Sequence, residues 1–335
     1  MLPRPRQGHA CPRLGLVGIG ADDVRERIEA AAGVYALGRP VAPARPAARG
    51  HMGVVWSLET DRGRFAVKQL LQPLDEQAVA TEVALQTEML RRGVPAPAPL
   101  RTAQGTVLAD VGGLLVRVST WVDLAEPRTD LDPAAVGALL AVMHRDPLPA
   151  PGPVDAWYVE PVATGTWDEL HAALAAAGAP FAAEFEGFAR HQLRMQEFFA
   201  APRSLQLCHR DLWADNLRTT PGGGLCVIDW DLCGPADPAQ ELAVLLTEFC
   251  YGRPERARAL YAAYLDGGGT GRITGRGDFT MAQAQFGHFA TTAARQWLAT
   301  DDEQARDRAE AWFRLGLESP LDVEHVDELL AAVQG

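Results

Sequence analysis

The sequence predicts an α+β protein of two lobes, a small one built on a sheet and a larger one that is mostly helical. Three observations predict it. Strand-like runs rich in β-branched and aromatic residues, Val54–Leu58, Gly63–Lys68 and Leu114–Val122, crowd the first part of the chain. A compact hairpin follows, where Leu217-Arg218 and Leu225-Cys226-Val227-Ile228 flank the glycine-rich Thr219–Gly224. From Ala239 onward apolar residues recur at helical spacing, over Ala239–Tyr251, Glu255–Leu265, Phe279–Ala299 and Glu303–Leu315, with glycine-rich breaks between them. At 335 residues and 47% hydrophobic content, the chain can fill two such lobes.

Residues 1–48 are rich in Pro, Arg, Gly and Ala around one helix, Asp22–Leu37, and read as an N-terminal extension ahead of a small lobe at 49–118. Gly15–Gly20 imitates the glycine turn of a dinucleotide site, but no convincing strand precedes it. The apolar stretch there is too short and too broken for a signal peptide, and no apolar run approaches membrane-spanning length, so no membrane partner and a cytoplasmic location are expected. Gly50-His51-Met52-Gly53 enters the first strand where a loop could cover phosphate, with Gly50 and Gly53 letting backbone amides meet an anion. After an Asp61-Arg62-Gly63 turn, the next strand ends in Val67-Lys68. Lys68 is the only lysine among 31 basic residues. A compact ammonium suits a position between two phosphate groups in a way that arginine's planar fork does not, so lysine is needed here. The helix Asp75–Arg92, closed by Gly93 and Pro95, offers Glu82 as the partner that fixes such a lysine, with Glu76 and Glu88 on the same segment. Leu114–Val122 then reads as a buried strand running into a connector, and the large lobe takes residues 119–335.

The chemistry concentrates in His209-Arg210-Asp211-Leu212-Trp213-Ala214-Asp215-Asn216 and, thirteen residues after Asn216, in the Asp229 of Ile228-Asp229-Trp230-Asp231. A hydroxyl attacking a γ-phosphate needs a carboxylate to orient it and accept its proton, and Asp211 is placed for that task. The amide oxygen of Asn216 and the carboxylate of Asp229 are hard oxygen donors suited to Mg²⁺. The intervening hairpin sets Asn216 beside Asp229, and His209 and Asp231 support the loop. The full H-x-D-x-x-x-x-N, hairpin, I-D-x-D series matches together, and the lysine-bearing strand matches V-A-I-K.

On these residues the chain resembles the aminoglycoside phosphotransferase family, the bacterial small-molecule relatives of protein kinases, over roughly residues 49–300. The resemblance implies a bilobal protein-kinase-like fold, its small lobe an antiparallel sheet with one helix. It also implies ATP and Mg²⁺ as cofactors, Asp211 as catalytic base, Asn216 and Asp229 as metal ligands and Lys68 as phosphate clamp. It makes Ser119 to Trp121 the connector whose backbone pairs with the adenine edge. The family's loop commonly reads H-G-D-L-H-x-x-N, so Arg210 and Trp213 depart from it, and Glu241 of Asp237-Pro238-Ala239-Gln240-Glu241-Leu242-Ala243 replaces an aspartate. Arg210 and Trp213 are expected to leave the chemical roles untouched, and Glu241 to alter only helix capping.

Other classes are excluded on chemical grounds. No A-P-E or activation segment fits between Asp229 and Pro238, so the acceptor is a small molecule rather than a protein. A Walker loop requires Gly-Lys-Ser/Thr, which the single lysine does not supply. Five cysteines without C-x-x-C spacing suggest buried thiols. A net charge of −12 argues against nucleic acid and suits a cationic acceptor. The reaction expected is O-phosphorylation of an aminoglycoside or similar antibiotic; a fructosamine-, homoserine- or choline-kinase-like metabolic enzyme and a nucleotide-binding pseudokinase are the alternatives. The late helices would line the acceptor pocket, with Asp278, His288, Arg295, Trp297 and Trp312 as wall candidates.

Overall fold

The computed structural model describes residues 20–50, 53–71, 76–150, 152–317 and 321–335. By contact the chain divides into two compact units, Met1–Pro73 with Pro99–Trp121, and Leu74–Ala98 with Val122–Gly335.

The first unit holds helix α1 (Ala21–Val34) and five strands, β1 (Arg45–Arg49), β2 (Gly53–Thr60), β3 (Gly63–Leu70), β4 (Leu108–Val111) and β5 (Leu114–Thr120). They form one antiparallel sheet in the order β1-β2-β3-β5-β4. Alternation places Val54, Trp56 and Leu58 of β2, Val67 of β3 and Val116 and Val118 of β5 in one core, against Ile28, Ala31, Ala32 and Tyr35 of α1. Those α1 positions recur at three- and four-residue intervals, which gathers them on one helix face. The helix stops at Val34 rather than Leu37 because Ala36 turns left-handed at φ +53°. Leu37 N–H then bonds back to Ala32 O at 2.8 Å, and Leu37 drops into the core at 4% exposure. The helix and β1 belong to this unit together with β2 to β5.

The second unit begins with α2 (Glu76–Arg91), whose Leu85 and Met89, with Val94 beyond it, join the core of the helical region. This packing accompanies the grouping of Leu74–Ala98 with the second unit. Asp75 lies outside the described residues. The remaining elements are α3 (Pro133–His144), α4 (Ala156–Val159), α5 (Thr164–Ala176), α6 (Ala182–Met195), β6 (Gln206–Cys208), β7 (Leu217–Thr219), β8 (Leu225–Val227), β9 (Gly234–Ala236), α7 (Pro238–Cys250), α8 (Pro254–Asp266), α9 (Thr280–Leu298), α10 (Glu303–Leu315) and α11 (Val323–Gln334). Asp132 caps α3 and Asp237 caps α7, each accepting the N–H two residues on, with proline at the first helical position. Helix α7 is the central strut, since Glu248 alone of its residues is not fully buried. Around it Leu140, Leu242, Leu246, Phe249, Leu260 and Tyr264 make one core, and Trp167, Phe181, Phe185, Trp297 and Phe313 make a second. Among the described residues no helix is long and apolar enough to cross a membrane.

Candidate active site

The 209–216 loop leaves β6, which pairs with β9, and enters β7, which pairs with β8 in the register Leu217↔Val227, Arg218↔Cys226, Thr219↔Leu225. The glycine-rich connection closes through Thr220 N–H to Gly224 O at 2.8 Å. One step beyond the ladder, Ile228 N–H donates to Asn216 O at 2.9 Å, so Asn216 and Asp229 leave neighbouring strand ends side by side. The Asn216 amide nitrogen donates to Asp211 Oδ2 at 2.6 Å and to Asp211 O at 2.9 Å. With its nitrogen turned to Asp211, Asn216 offers Oδ1 as the atom a hard cation can use. The structure thus brings Asp211, Asn216 and Asp229 into one turn-and-hairpin unit.

Three non-glycine residues among those described have positive φ, and two of them stand here: Arg210 at +66° and Asp229 at +56°. Backbone of this kind persists only where surrounding bonds over-determine it, and it clusters at functional sites. His209 supplies one such bond. It is 0% exposed, its Nε2 lies 3.1 Å from Ile228 O, and its ring meets Trp230 edge-on at 4.7 Å. Burial pushes its pKa down, so the ring is neutral and donates through Nε2–H. Asp231 sits half-buried in the short 3₁₀ turn Trp230–Leu232.

Glu241 overturns the expectation made for it. Helix capping at α7 belongs to Asp237, which accepts from Ala239 N–H at 2.9 Å. Glu241 instead lies 0% exposed beneath the loop, accepting the Arg210 N–H on Oε1 and facing His144 Nε2 at 2.6 Å with Oε2. His144 Nδ1 lies 2.9 Å from the Tyr264 hydroxyl, which also accepts from Gly271 N–H at 2.7 Å. Burial alone would raise the Glu241 pKa; the bonds from His144 and Arg210 outweigh it and bring the carboxyl below its ordinary value. Seven residues on, Glu248 accepts from Ala214 N–H at 3.0 Å. Neither His144 nor Glu248 was predicted as a site residue; the only trace in sequence is a charged or imidazole group on an otherwise apolar helix. Cys208 is buried beside this cluster and its thiol is held well above its ordinary pKa by burial, so it is no nucleophile.

In the first unit Lys68 stands on β3 in register with Val55 of β2 and Arg117 of β5, which places it on the sheet face opposite Val67 and the core. Gly53 belongs beside it: a Cβ there would come within 2.5 Å of Gln69 O and 3.3 Å of the Lys68 Cγ and Cε. Gly50 donates its N–H to Gly53 O at 3.0 Å. His51 and Met52 lie outside the described residues. Ser119 is in register with Ala66, and Trp121 N–H donates to Arg64 O at 3.3 Å. In the second unit Glu82 is 4% exposed on α2, whereas Glu88 is tied to Arg91 and Arg92. Among the wall candidates, Asp278 is paired with Arg203, Trp297 is buried and Arg295 is exposed. His288 stacks on Trp157 at 4.9 Å and Trp312 meets Phe289 at 5.6 Å, both half-buried, and Trp213 meets Phe286 of the same helix at 5.4 Å.

Solved structures share this architecture. A spectinomycin phosphotransferase, APH(9)-Ia, solved with ADP and spectinomycin, superposes with TM-score 0.67 at 13% identity, covering 94% of this chain and 98% of its own. An aminoglycoside phosphotransferase from Alicyclobacillus acidocaldarius gives 0.55 at 17% identity, with 87% and 91% covered. A microcompartment-associated aminopropanol kinase gives 0.54 at 17%, with 82% and 90% covered. No curated protein matches the sequence. The model of the phosphotransferase enzyme family matches residues 43–279, a span that takes in Lys68, the Asp211 loop, the hairpin and α7, and on that match the chain belongs to this family and is a phosphotransferase.

Proposed function

We propose that this enzyme transfers the γ-phosphoryl group of ATP to a hydroxyl of a ring-bearing antibiotic or a similar small molecule in the cytoplasm, with Mg²⁺ as its metal. The observation that carries the reading is the Asn216 to Asp211 hydrogen bond at 2.6 Å, beside an Asp229 held in left-handed backbone. Asp211 orients the acceptor hydroxyl and takes its proton at a carboxylate oxygen. Asn216 fixes that carboxylate and, with Asp229, offers the oxygen donors that suit Mg²⁺. Bound there, the metal would screen phosphate charge as it builds in the transition state. Lys68 supplies a compact positive charge for the nucleotide's phosphates. The partly exposed rings of Trp213 with Phe286, and of Phe289 with Trp157 and Trp312, would give a flat acceptor apolar area to rest on. Related folds, one solved with spectinomycin and one an aminopropanol kinase, support a small-molecule acceptor.

Turnover of ATP should be screened against aminocyclitols, macrolides and small amino alcohols, with Asp211→Asn as the control. The variant should bind nucleotide as the wild type does and lose activity by orders of magnitude. Undiminished turnover in Asp211→Asn would remove that residue from the mechanism, and ATP turnover with none of these acceptors would remove the substrate class.

A further inference from the structure

Arg210 adopts a conformation that glycine enters freely and arginine does not, and its side chain is held at two nitrogens. Nε donates to Leu232 O at 2.6 Å and Nη2 to Cys233 O at 3.2 Å, and the guanidinium carbon lies 4.2 Å over the Tyr158 ring. The space it fills exists because residue 234 is glycine: a Cβ there would fall 2.6 Å from the Arg210 Cζ. Leu232 and Cys233 close the turn that follows Asp229. The main chain of Arg210 is held separately, its N–H by Glu241 and its carbonyl by Gln285 Nε2 at 2.9 Å. One side chain therefore ties the residue before Asp211, itself in left-handed backbone, to the end of the turn that opens at the left-handed Asp229.

We propose that Arg210 is a positioning residue for the metal: seated in the slot that Gly234 keeps open, its guanidinium holds the Asp229 turn in the shape in which Asp229 and Asn216 accept Mg²⁺ with nucleotide. The inference rests on the reading of those two residues as metal ligands. A residue acting only as filler could be replaced by glycine at this φ with a loss of packing but no change in Mg²⁺-dependent binding.

Calorimetric binding of AMP-PNP to the full chain, with and without saturating Mg²⁺, tests it. Arg210→Gly should weaken binding at least fivefold in Mg²⁺ and leave metal-free binding unchanged, and added ethylguanidinium should refill the slot and restore affinity. Gly234→Ala, whose backbone is not left-handed, should displace the guanidinium and show the same loss. The double variant should be no worse than either single one, because both remove one interaction. Hydrogen exchange over 229–233 should quicken in Arg210→Gly while the 217–227 hairpin stays protected. Wild-type Mg²⁺ dependence in Arg210→Gly, losses that multiply in the double variant, or protection lost throughout the unit would each overturn the proposal. Should Arg210→Gly fail to fold, Gly234→Ala decides by the same measurement. A wild type whose binding ignores Mg²⁺ would sink the metal reading beneath it, which is a different result from a responsive wild type with an unaffected variant.

Discussion

The Asp211 loop rests on α7 at two points two turns apart, and the two are built from the same residue type with opposite electrostatic outcomes. Glu241 takes the N–H of Arg210 on one side of Asp211, and Glu248 takes the N–H of Ala214 on the other. Both lie on one face of the helix, since seven residues is two turns. Burial pushes both carboxyls up. At Glu241 the His144 bond reverses the shift; at Glu248 the single backbone bond does not, and the like charge of Asp215 adds to the rise. A second donor brings a buried carboxyl's pKa back down, whereas one amide alone leaves it raised. The loop is thus gripped before Asp211 by an anchor whose pKa is lowered and after it by one whose pKa is raised.

Removing the charged anchor should have the largest effect. Glu241→Ala leaves the Arg210 N–H and His144 buried and unanswered, at a cost of about 3 kcal/mol, and turnover should fall at least a hundredfold as the left-handed turn relaxes. Thermal unfolding and steady-state rates check this; a variant that keeps wild-type kcat would show that the anchor carries stability alone. Glu241→Asp, which installs the residue the family uses here, sharpens the comparison. One methylene shorter, it should keep a single bond of the two, and the loss should fall between wild type and Glu241→Ala. Tyr264→Phe, which removes only the hydroxyl beside His144 Nδ1, should cost about 1 kcal/mol.

How much of this was legible in sequence differs between the regions for a physical reason. Strands β2 and β3 and the hairpin are local objects whose period-two patterning and glycine turns lie within a few residues, and they stand where the sequence placed them. Helices α7 to α10 likewise begin and end within about two residues of their expected limits. Strand β1 escaped notice because Arg45-Pro46-Ala47-Ala48-Arg49 is exposed at every position, as an edge strand with proline can be, and carries no alternation. Residues 123–205 yielded no helices to pattern reading, although α3, α5 and α6 lie there. In the loop, Asp211, Asn216 and Asp229 were readable from spacing. The anchors were not: His144 and Tyr264 are 97 residues behind and 23 ahead of Glu241, and a pairing across such distances leaves no local periodicity. Arg210 was read as harmless because a motif records which residue is usual without recording that the position is left-handed.

The two anchors should also separate by pH. Glu241, whose pKa is lowered in the fold, contributes stability that is present above about 4.5, its ordinary value, and is lost as pH falls below it. Glu248, whose pKa is raised, contributes stability that is complete below about 4.5 and is lost as pH rises through its folded value. Midpoints of thermal unfolding between pH 4 and 7 should therefore move in opposite senses when each is made neutral. Glu241→Gln should be worse than wild type at pH 7, with the gap narrowing in acid. Glu248→Gln keeps an acceptor for the Ala214 N–H and removes the buried charge, so it should match or exceed wild-type stability at pH 7 by up to about 1 kcal/mol, the difference fading towards pH 4. If Glu248→Gln is instead destabilised at pH 7 by as much as Glu241→Gln, the second anchor is ionised and paired like the first, and the asymmetry between the two ends of the loop is lost.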